Sequence, residues 1–249
     1  MGKPTILYCN YSTSATATPS LVGNGNGSDV LIETEDTYYA PLATSSFSIV
    51  IDVGASTAFD SFAIVGAYLN GTTVEVRGST DNFATSDVSI SAATALTSDV
   101  NSAWRSFTTG TYRYWKFLFS GHPSNLRVAH VCLVTKLDLP YFETDPDIRN
   151  FNPTAVQLVS QSGIYIGNNQ QKSMRDMSLN WGEVTQTELT VIQAFAESCI
   201  KVVKPFTFIP DIDETNSFFG WIPNGGSFSS PETPGVFSVN NLQFVTRAV

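Results

Sequence analysis

The spacing of apolar residues changes within one stretch, residues 174–223, and this change limits what the chain can fold into. In its first part Met177, Leu179 and Trp181 alternate with other residues, which is typical of a strand buried on one face. Beyond them the apolar residues recur at intervals of three and four, the spacing of an amphipathic helix. The stretch therefore predicts a strand followed by one helix at about residues 186–200.

A capping box marks the start of this helix. Thr185 stands just before it and Glu188 three positions later, so each side chain can accept a hydrogen bond from the other residue's backbone N–H. No other stretch combines these signals, so a single helix is expected. The apolar stripe behind the capping box consists of Leu189, Ile192, Phe195, Ala196 and Cys199.

Two short aromatic strands follow the helix. Pro205 and Pro210 bracket a segment in which Phe206 and Phe208 share one face, and a second strand with Phe218, Phe219 and Trp221 follows and ends at Pro223. The helix and the strands of this stretch are expected to form the core of a C-terminal domain. The predicted core residues are Trp181, Leu189, Ile192, Phe195, Phe206, Phe208 and Trp221.

This stretch resembles the C-terminal part of phage minor-tail and distal-tail proteins. The features that match are an apolar strand with a tryptophan at its end, one helix, and a Lys-Pro-Phe-x-Phe strand at residues 204–208. Those proteins are related to the tail-tube fold and form rings at the tip of a tail. The resemblance covers about a fifth of the 249 residues and implies a tail-tube-like domain.

The N-terminal half contains short strands separated by turns, the pattern of a β-sandwich. Asp52-Val53-Gly54 and the segment from Val74 to Asp81 resemble, in order and spacing, the discoidin or galactose-binding-like jelly roll. This resemblance covers roughly residues 15–136. The segments that carry it are FSIVIDVG (47–54), VEVRGSTD (74–81), YRYWKFLF (112–119) and LRVAHVCLV (126–134).

The expected fold class is mainly β, with two domains, because 249 residues exceed the usual size of one domain. A discoidin-like β-sandwich is expected over residues 1–138. A tail-tube-like β domain with one α-helix is expected over residues 139–249. The proline-containing, acidic residues 137–160 would link the two.

The charge balance argues against binding to nucleic acids. The chain has 13 Lys and Arg against 22 Asp and Glu, a formal net charge of −9, whereas phosphate binding needs a basic surface. An acidic passage would instead let DNA slide through without adhering. No stretch has the length and apolar character of a membrane span, and no cofactor is expected.

Aromatic residues in loops and at strand ends are the candidates for the carbohydrate site that the discoidin resemblance implies. Such sites combine aromatic rings that stack on sugars with polar groups that fix the orientation of the sugar. The alternative is that these side chains pack in the sandwich or in a subunit interface, where aromatic residues are also common. The candidates are Tyr38, Tyr39, Tyr68, Trp104 and Arg105.

Catalysis and metal binding have little support in the sequence. The two histidines, His122 and His130, fall in a turn and on a strand, and no nucleophile-elbow motif is present, so the chain is not expected to be an enzyme. Asp211, Asp213 and Glu214 are weak candidates for Ca²⁺ ligands, but a solvated hairpin tip is the preferred interpretation. No metal site is therefore assigned.

The two resemblances lead to one main functional hypothesis, a structural virion protein of a phage tail tip or baseplate. Six copies would close a ring that joins the tail tube to the adhesion apparatus. The expected partners are further copies of the chain and the tube, hub and fibre proteins, with a glycan as an additional candidate. The protein would be assembled in the host cytoplasm and reside in the virion. The alternative hypothesis is a viral or bacterial carbohydrate-binding adhesion module that uses the discoidin-like domain.

Overall fold

Two compact units make up the fold, and neither is a single continuous segment of the chain. The first unit consists of Met1–Asp138 and Pro205–Ser217, and the second of Leu139–Lys204 and Phe218–Val249. The computed structural model describes residues 3–8, 15–32, 37–97, 102–141, 151–152, 155–159, 165–170, 174–202, 205–212, 217–222, 227–233 and 236–247.

Strands account for most of the regular structure, together with one helix and one 3₁₀ turn at Gly27–Leu31. In chain order the elements are β1 (Thr5–Leu7), β2 (Thr16–Pro19), β3 (Gly23–Asn24), β4 (Ala40–Pro41), β5 (Phe47–Ala67), β6 (Thr73–Ser79), β7 (Val88–Ala95), β8 (Ser102–Ser120), β9 (Arg127–Val134), β10 (Leu137–Asp138), β11 (Phe151–Asn152), β12 (Ala155–Val159), β13 (Tyr165–Gln170), β14 (Met174–Val184), α1 (Gln186–Val202), β15 (Phe206–Ile209), β16 (Phe218–Trp221), β17 (Ser227–Thr233) and β18 (Val236–Arg247).

Two long antiparallel strands, β5 and β8, shape a sandwich in the first unit. The first part of β5, Phe47–Asp52, pairs with β8 and β2, whereas its last part, Ser61–Ala67, pairs with β8 and β9. The register between β5 and β8 shifts between these two parts, where the sheet bends over to give two layers. Strands β6 and β7 extend the first layer beyond β8.

Aromatic side chains fill the space between the two layers. Phe62 of the second layer meets Phe117 of the first edge-on, with ring centroids 5.5 Å apart. Phe47 stacks on Phe119 at 4.7 Å, and Trp115 is fully buried. The predicted mainly-β fold, with a sandwich in the N-terminal half, is confirmed.

The outer face of the second layer is covered by β1 and β15. These two strands pair antiparallel, with Ile6 opposite Phe208, and β10 pairs with the other side of β1. The contact with the sandwich is an apolar cluster of Leu7, Ala63, Cys132, Val134 and Ile209, with Trp104 packed against it.

Phe206 and Phe208 therefore lie elsewhere than predicted. The sequence placed both in the core of the C-terminal domain, but their strand pairs with β1 in the first unit, where both side chains are buried. The apolar pattern of a short strand specifies which residues are buried but not which strand it pairs with.

The second unit is organised around β18. Strands β14, β16 and β17 each pair with β18, β11 pairs with β14, and β12 and β13 form a hairpin. Helix α1 lies beside β18. Of the predicted core residues in this unit, Trp221 is half-buried, and the buried ones are Trp181, Leu189, Ile192 and Phe195.

Helix α1 begins with the predicted capping box. The Thr185 N–H donates to Glu188 Oε2 at 2.9 Å, and the Glu188 N–H donates to Thr185 Oγ1 at 3.3 Å. It is the one α-helix in the part of the chain that the structure describes, in agreement with the sequence prediction. No helix within the described residues has both the length and the hydropathy to cross a membrane.

Candidate functional site

One end of the sandwich brings an aromatic ring and a cation together. The guanidinium carbon of Arg127 lies 4.8 Å from the ring centroid of Tyr38. The next residues along each segment, Tyr39 and Val128, form an antiparallel bridge with N–H···O distances of 2.8 and 2.9 Å. Both of these side chains face the core. Since side chains alternate along extended chain, the stacked ring and guanidinium face outward.

Tyr68 lies at the same end, directly after β5. Ala67, the last residue of β5, stands opposite Arg127 in the β5–β9 ladder, so the backbone of Tyr68 comes directly after this pair. The Tyr68 side chain is 57% exposed, and its backbone is left-handed, with φ 60°. For a residue with a Cβ this conformation is unfavourable by about 1–2 kcal/mol.

The residues after Tyr68 hold it in this conformation. Leu69 is buried in the core, and its carbonyl oxygen accepts a hydrogen bond from the Thr72 N–H at 3.0 Å. Gly71 supplies the positive φ of 80° that the turn needs. A buried side chain and a closed turn therefore fix the backbone on which the exposed Tyr68 ring is mounted.

The other three predicted carbohydrate-binding residues do not share this outward-facing surface. Tyr39 is buried, its hydroxyl donates to the Leu21 carbonyl oxygen at 2.7 Å, and burial raises its pKa. Trp104 packs against the cluster under β1 and β15, and its buried indole N–H has no hydrogen-bond partner among the described residues. Arg105 donates to the Ala95 carbonyl oxygen. The fold thus separates Trp104 and Arg105 from the other candidates, and it brings the backbone segments that carry Tyr38 and Tyr68 to the two sides of Arg127 and Val128.

Arg127 and the ribbon of β3 and β4 were not predicted from the sequence as parts of a site. In this ribbon Gly23 lies opposite Pro41 and Asn24 opposite Ala40. A Cβ on Gly25, which has φ 86°, would come within 2.0 Å of the Tyr38 carbonyl oxygen. The alternating glycines of GNGNG at residues 23–27 could have indicated the ribbon, because glycines permit this close approach of two backbones.

The aspartates that carry the discoidin resemblance stabilise local structure. Asp52 accepts hydrogen bonds from Arg113 Nε at 2.8 Å and Nη2 at 2.9 Å and from the Gly54 N–H at 2.8 Å. The hydrogen bonds from Arg113, together with the bond from Gly54, lower the pKa of Asp52.

The Asp81 carboxylate closes the loop after β6. It accepts hydrogen bonds from the Thr85 hydroxyl, the Ser79 hydroxyl, and the backbone N–H groups of Thr85 and Ser86. These bonds, the one from the Thr85 hydroxyl above all, hold the pKa of Asp81 well below its usual range. Because the carboxylate is already bonded on both oxygens, it is a loop-forming group.

The His, Cys, Asp and Glu side chains form no metal-binding cluster among the described residues. No group of three or more His, Cys, Asp or Glu side chains there could hold a metal ion. Asp211 is half-buried, whereas Asp213 and Glu214 lie outside the described residues. His122 is buried with its two ring nitrogens 3.1 Å from the carbonyl oxygens of Pro123 and Ser45, which makes it a structural turn residue.

Comparisons with known proteins gave similarities only among solved structures. No family model matches the chain, and no curated protein matches it. Chitosan-binding module 1 from a Paenibacillus sp. IK-5 chitosanase/glucanase is 20% identical over 51% of this chain and 98% of its own, with a TM-score of 0.44. CpGH89CBM32-5 from Clostridium perfringens, in complex with GalNAc-β-1,3-galactose, is 18% identical over 49% and 95%, with a TM-score of 0.43. A Ruminococcus gnavus GH29 fucosidase is 17% identical over 51% of this chain and 26% of its own, with a TM-score of 0.42.

Proposed function

We propose that the first unit is a glycan-binding adhesion module whose contact surface is formed by Tyr68, Tyr38 and Arg127. The observation that carries this proposal is the exposed Tyr68 ring on a left-handed backbone. Such strain persists only where the surroundings impose it, and it concentrates at functional sites. Tyr68 gains little from burial that could compensate for the strain, so a role in contacting a ligand is favoured.

The chemistry of these three side chains suits a sugar. The exposed Tyr68 ring offers a flat apolar surface to the C–H face of a pyranose, and its hydroxyl can hydrogen-bond at the rim. The Arg127 guanidinium carries several N–H donors for sugar hydroxyls, and the Tyr38 ring beneath it limits its orientation. Among the described residues, no hydrogen-bond acceptor occupies those donors.

A glycan array with the wild-type chain and the Tyr68→Asn variant tests the proposal. Asparagine tolerates the left-handed backbone, so this variant removes the ring and relieves the strain. We expect unchanged or higher resistance to urea together with at least about tenfold weaker glycan binding, a loss of about 1.4 kcal/mol. Tyr141→Ala is the matched control, since Tyr141 is 56% exposed but belongs to the second unit. Absence of any bound glycan, or equal binding by wild type and Tyr68→Asn, contradicts the proposal.

A ring-forming structural protein of a phage tail tip is the second proposal. Its support is the order of β14, the capped helix α1 and β15, which is the order that the tail-protein resemblance implies. Under this proposal the second unit closes a homo-hexameric ring in the virion and contacts tube, hub and fibre proteins. Native mass spectrometry and negative-stain imaging over a concentration series test it. A closed ring with a central hole is the expected result, and a monomer at every concentration counts against it.

A further inference from the structure

The ribbon of β3 and β4 has one face turned to the core and one turned away from it. Tyr39 and Pro41 are buried, so the residues that alternate with them, Tyr38, Ala40 and Leu42, occupy the opposite face. The Leu42 N–H donates to the Val22 carbonyl oxygen at 3.3 Å, which continues the pairing of the two segments. The face turned away from the core therefore starts at the Tyr38–Arg127 stack and ends at an aliphatic pair.

The aliphatic pair, Val22 and Leu42, is unusually open to water. Val22 is 80% exposed and Leu42 66%, the highest values among the large hydrophobic side chains that the structure describes. Exposed aliphatic side chains that lie next to each other mark a binding surface more often than single exposed ones do. The pair also continues the ribbon face that leads from Tyr38.

Between the stack and the aliphatic pair lies Asn24, opposite Ala40 in the ribbon. The Asn24 side chain is exposed and has no hydrogen bond to any described residue. Its amide offers two donors and one acceptor oxygen, which can bond two neighbouring hydroxyl groups of a sugar. The four residue steps from Tyr38 to Leu42 span about 13 Å of extended chain, which is longer than one pyranose ring.

From this arrangement we infer that the glycan site continues along the ribbon and binds an oligosaccharide of more than one unit. Tyr68, Arg127 and Tyr38 contact one sugar, Asn24 reads hydroxyl groups of the next, and Val22 with Leu42 packs against a sugar that carries a methyl group. The methyl group belongs to an N-acetyl substituent or to a 6-deoxy sugar, because an aliphatic pair has no group that bonds a hydroxyl. This inference rests on the proposed glycan-binding function.

The test uses immobilised glycans in matched pairs that differ only in a methyl-bearing group. The pairs are N-acetylglucosamine and glucose oligomers of one to four β-1,4-linked units, N-acetylgalactosamine and galactose, and L-fucosides and the corresponding L-galactosides. The wild-type chain is compared with Val22→Ser/Leu42→Ser, with Asn24→Ala and with Tyr68→Asn. Val88→Ser, at an exposed position of β7, is the control for replacing an exposed valine.

We expect wild-type binding to strengthen at least about tenfold from one unit to three and to favour the methyl-bearing member of a pair. Val22→Ser/Leu42→Ser should remove that preference and leave single-sugar binding intact, and Asn24→Ala should remove the gain with chain length. Val88→Ser should bind as wild type does.

The results that would contradict this inference differ from those that would contradict the proposed function. Wild-type binding that is the same for every chain length, and unchanged in Val22→Ser/Leu42→Ser, overturns the extended site and leaves the Tyr68 surface standing. Absence of all glycan binding overturns both. A wild-type dimer that becomes a monomer in Val22→Ser/Leu42→Ser assigns the pair to a contact between copies and also overturns the inference.

Discussion

At the scale of single residues, the Asp52 carboxylate shows how a sequence motif acts in the fold. It is held by a two-pronged hydrogen bond from Arg113 and by the N–H of Gly54, whose φ is 84°. Arg113 also lies over the Tyr114 ring, with its guanidinium carbon 4.9 Å from the ring centroid. The Asp-Val-Gly part of the discoidin-like motif therefore stabilises the point where β5 leaves the first layer.

This arrangement makes part of the stability depend on pH. The hydrogen bonds from Arg113 and Gly54 lower the pKa of Asp52 below its ordinary value of 3.8. A carboxylate with a lowered pKa in the folded state stabilises that state above its unfolded pKa, and the contribution disappears as the pH falls through the lowered value. We predict that the free-energy difference of unfolding between wild type and Asp52→Asn is largest near pH 6 and shrinks below about pH 4. Urea unfolding of both proteins at pH 6, 4 and 3 measures it.

Arg113→Gln provides the control for this prediction. This substitution removes the hydrogen bonds between Arg113 and Asp52 by changing the donor instead of the acceptor. Combining it with Asp52→Asn should therefore cause little further loss of stability. A difference between wild type and Asp52→Asn that stays constant over the pH range would assign the effect of Asp52 to something other than its charge.

At the scale of elements, local signals predicted local structure well. The capping box of α1 involves residues three positions apart, so the sequence contains all of its determinants. The dipeptide Asn70-Gly71 is a common hairpin signal, and a tight turn does occur there. Its flanking strands do not pair with each other, however, because β5 pairs with β8 and β9 while β6 pairs with β7 and β8. The choice of strand partners depends on how the whole core is filled.

The candidate site shows the same division between local and distant determinants. Tyr38 and Tyr68 were recognisable as aromatic residues near turns, but Arg127 meets Tyr38 through the bridge between Tyr39 and Val128 and comes near the Tyr68 backbone through the β5–β9 ladder. Trp104 was a reasonable candidate at a strand end, yet distant strands cover the face on which it lies. Alternation shows which side chains share a face, and the rest of the chain decides whether that face meets water.

At the scale of the whole molecule, the first unit depends on a segment that the chain reaches only after part of the second. Strand β15 pairs with β1, and Ile209 is fully buried against the outer face of the sandwich. The Ser217 hydroxyl hydrogen-bonds the Ser102 hydroxyl at 3.1 Å, which attaches the same segment to β8. A cut after Asp138 therefore removes part of the packing of the first unit.

We predict that a fragment of residues 1–138 is clearly less stable than the same fragment joined by a glycine-serine linker to residues 205–217. Loss of Ile209 alone removes a buried side chain, a change that typically costs about 2–5 kcal/mol when the site becomes a cavity. The shorter fragment also exposes Leu7 and Val134, which should increase the binding of a hydrophobic dye. Urea unfolding followed by tryptophan fluorescence compares the two fragments, and the linked fragment with Ile209→Asn is the matched control. Equal urea midpoints for all three would mean that β15 contributes nothing to the sandwich and that residues 1–138 fold as a self-sufficient domain.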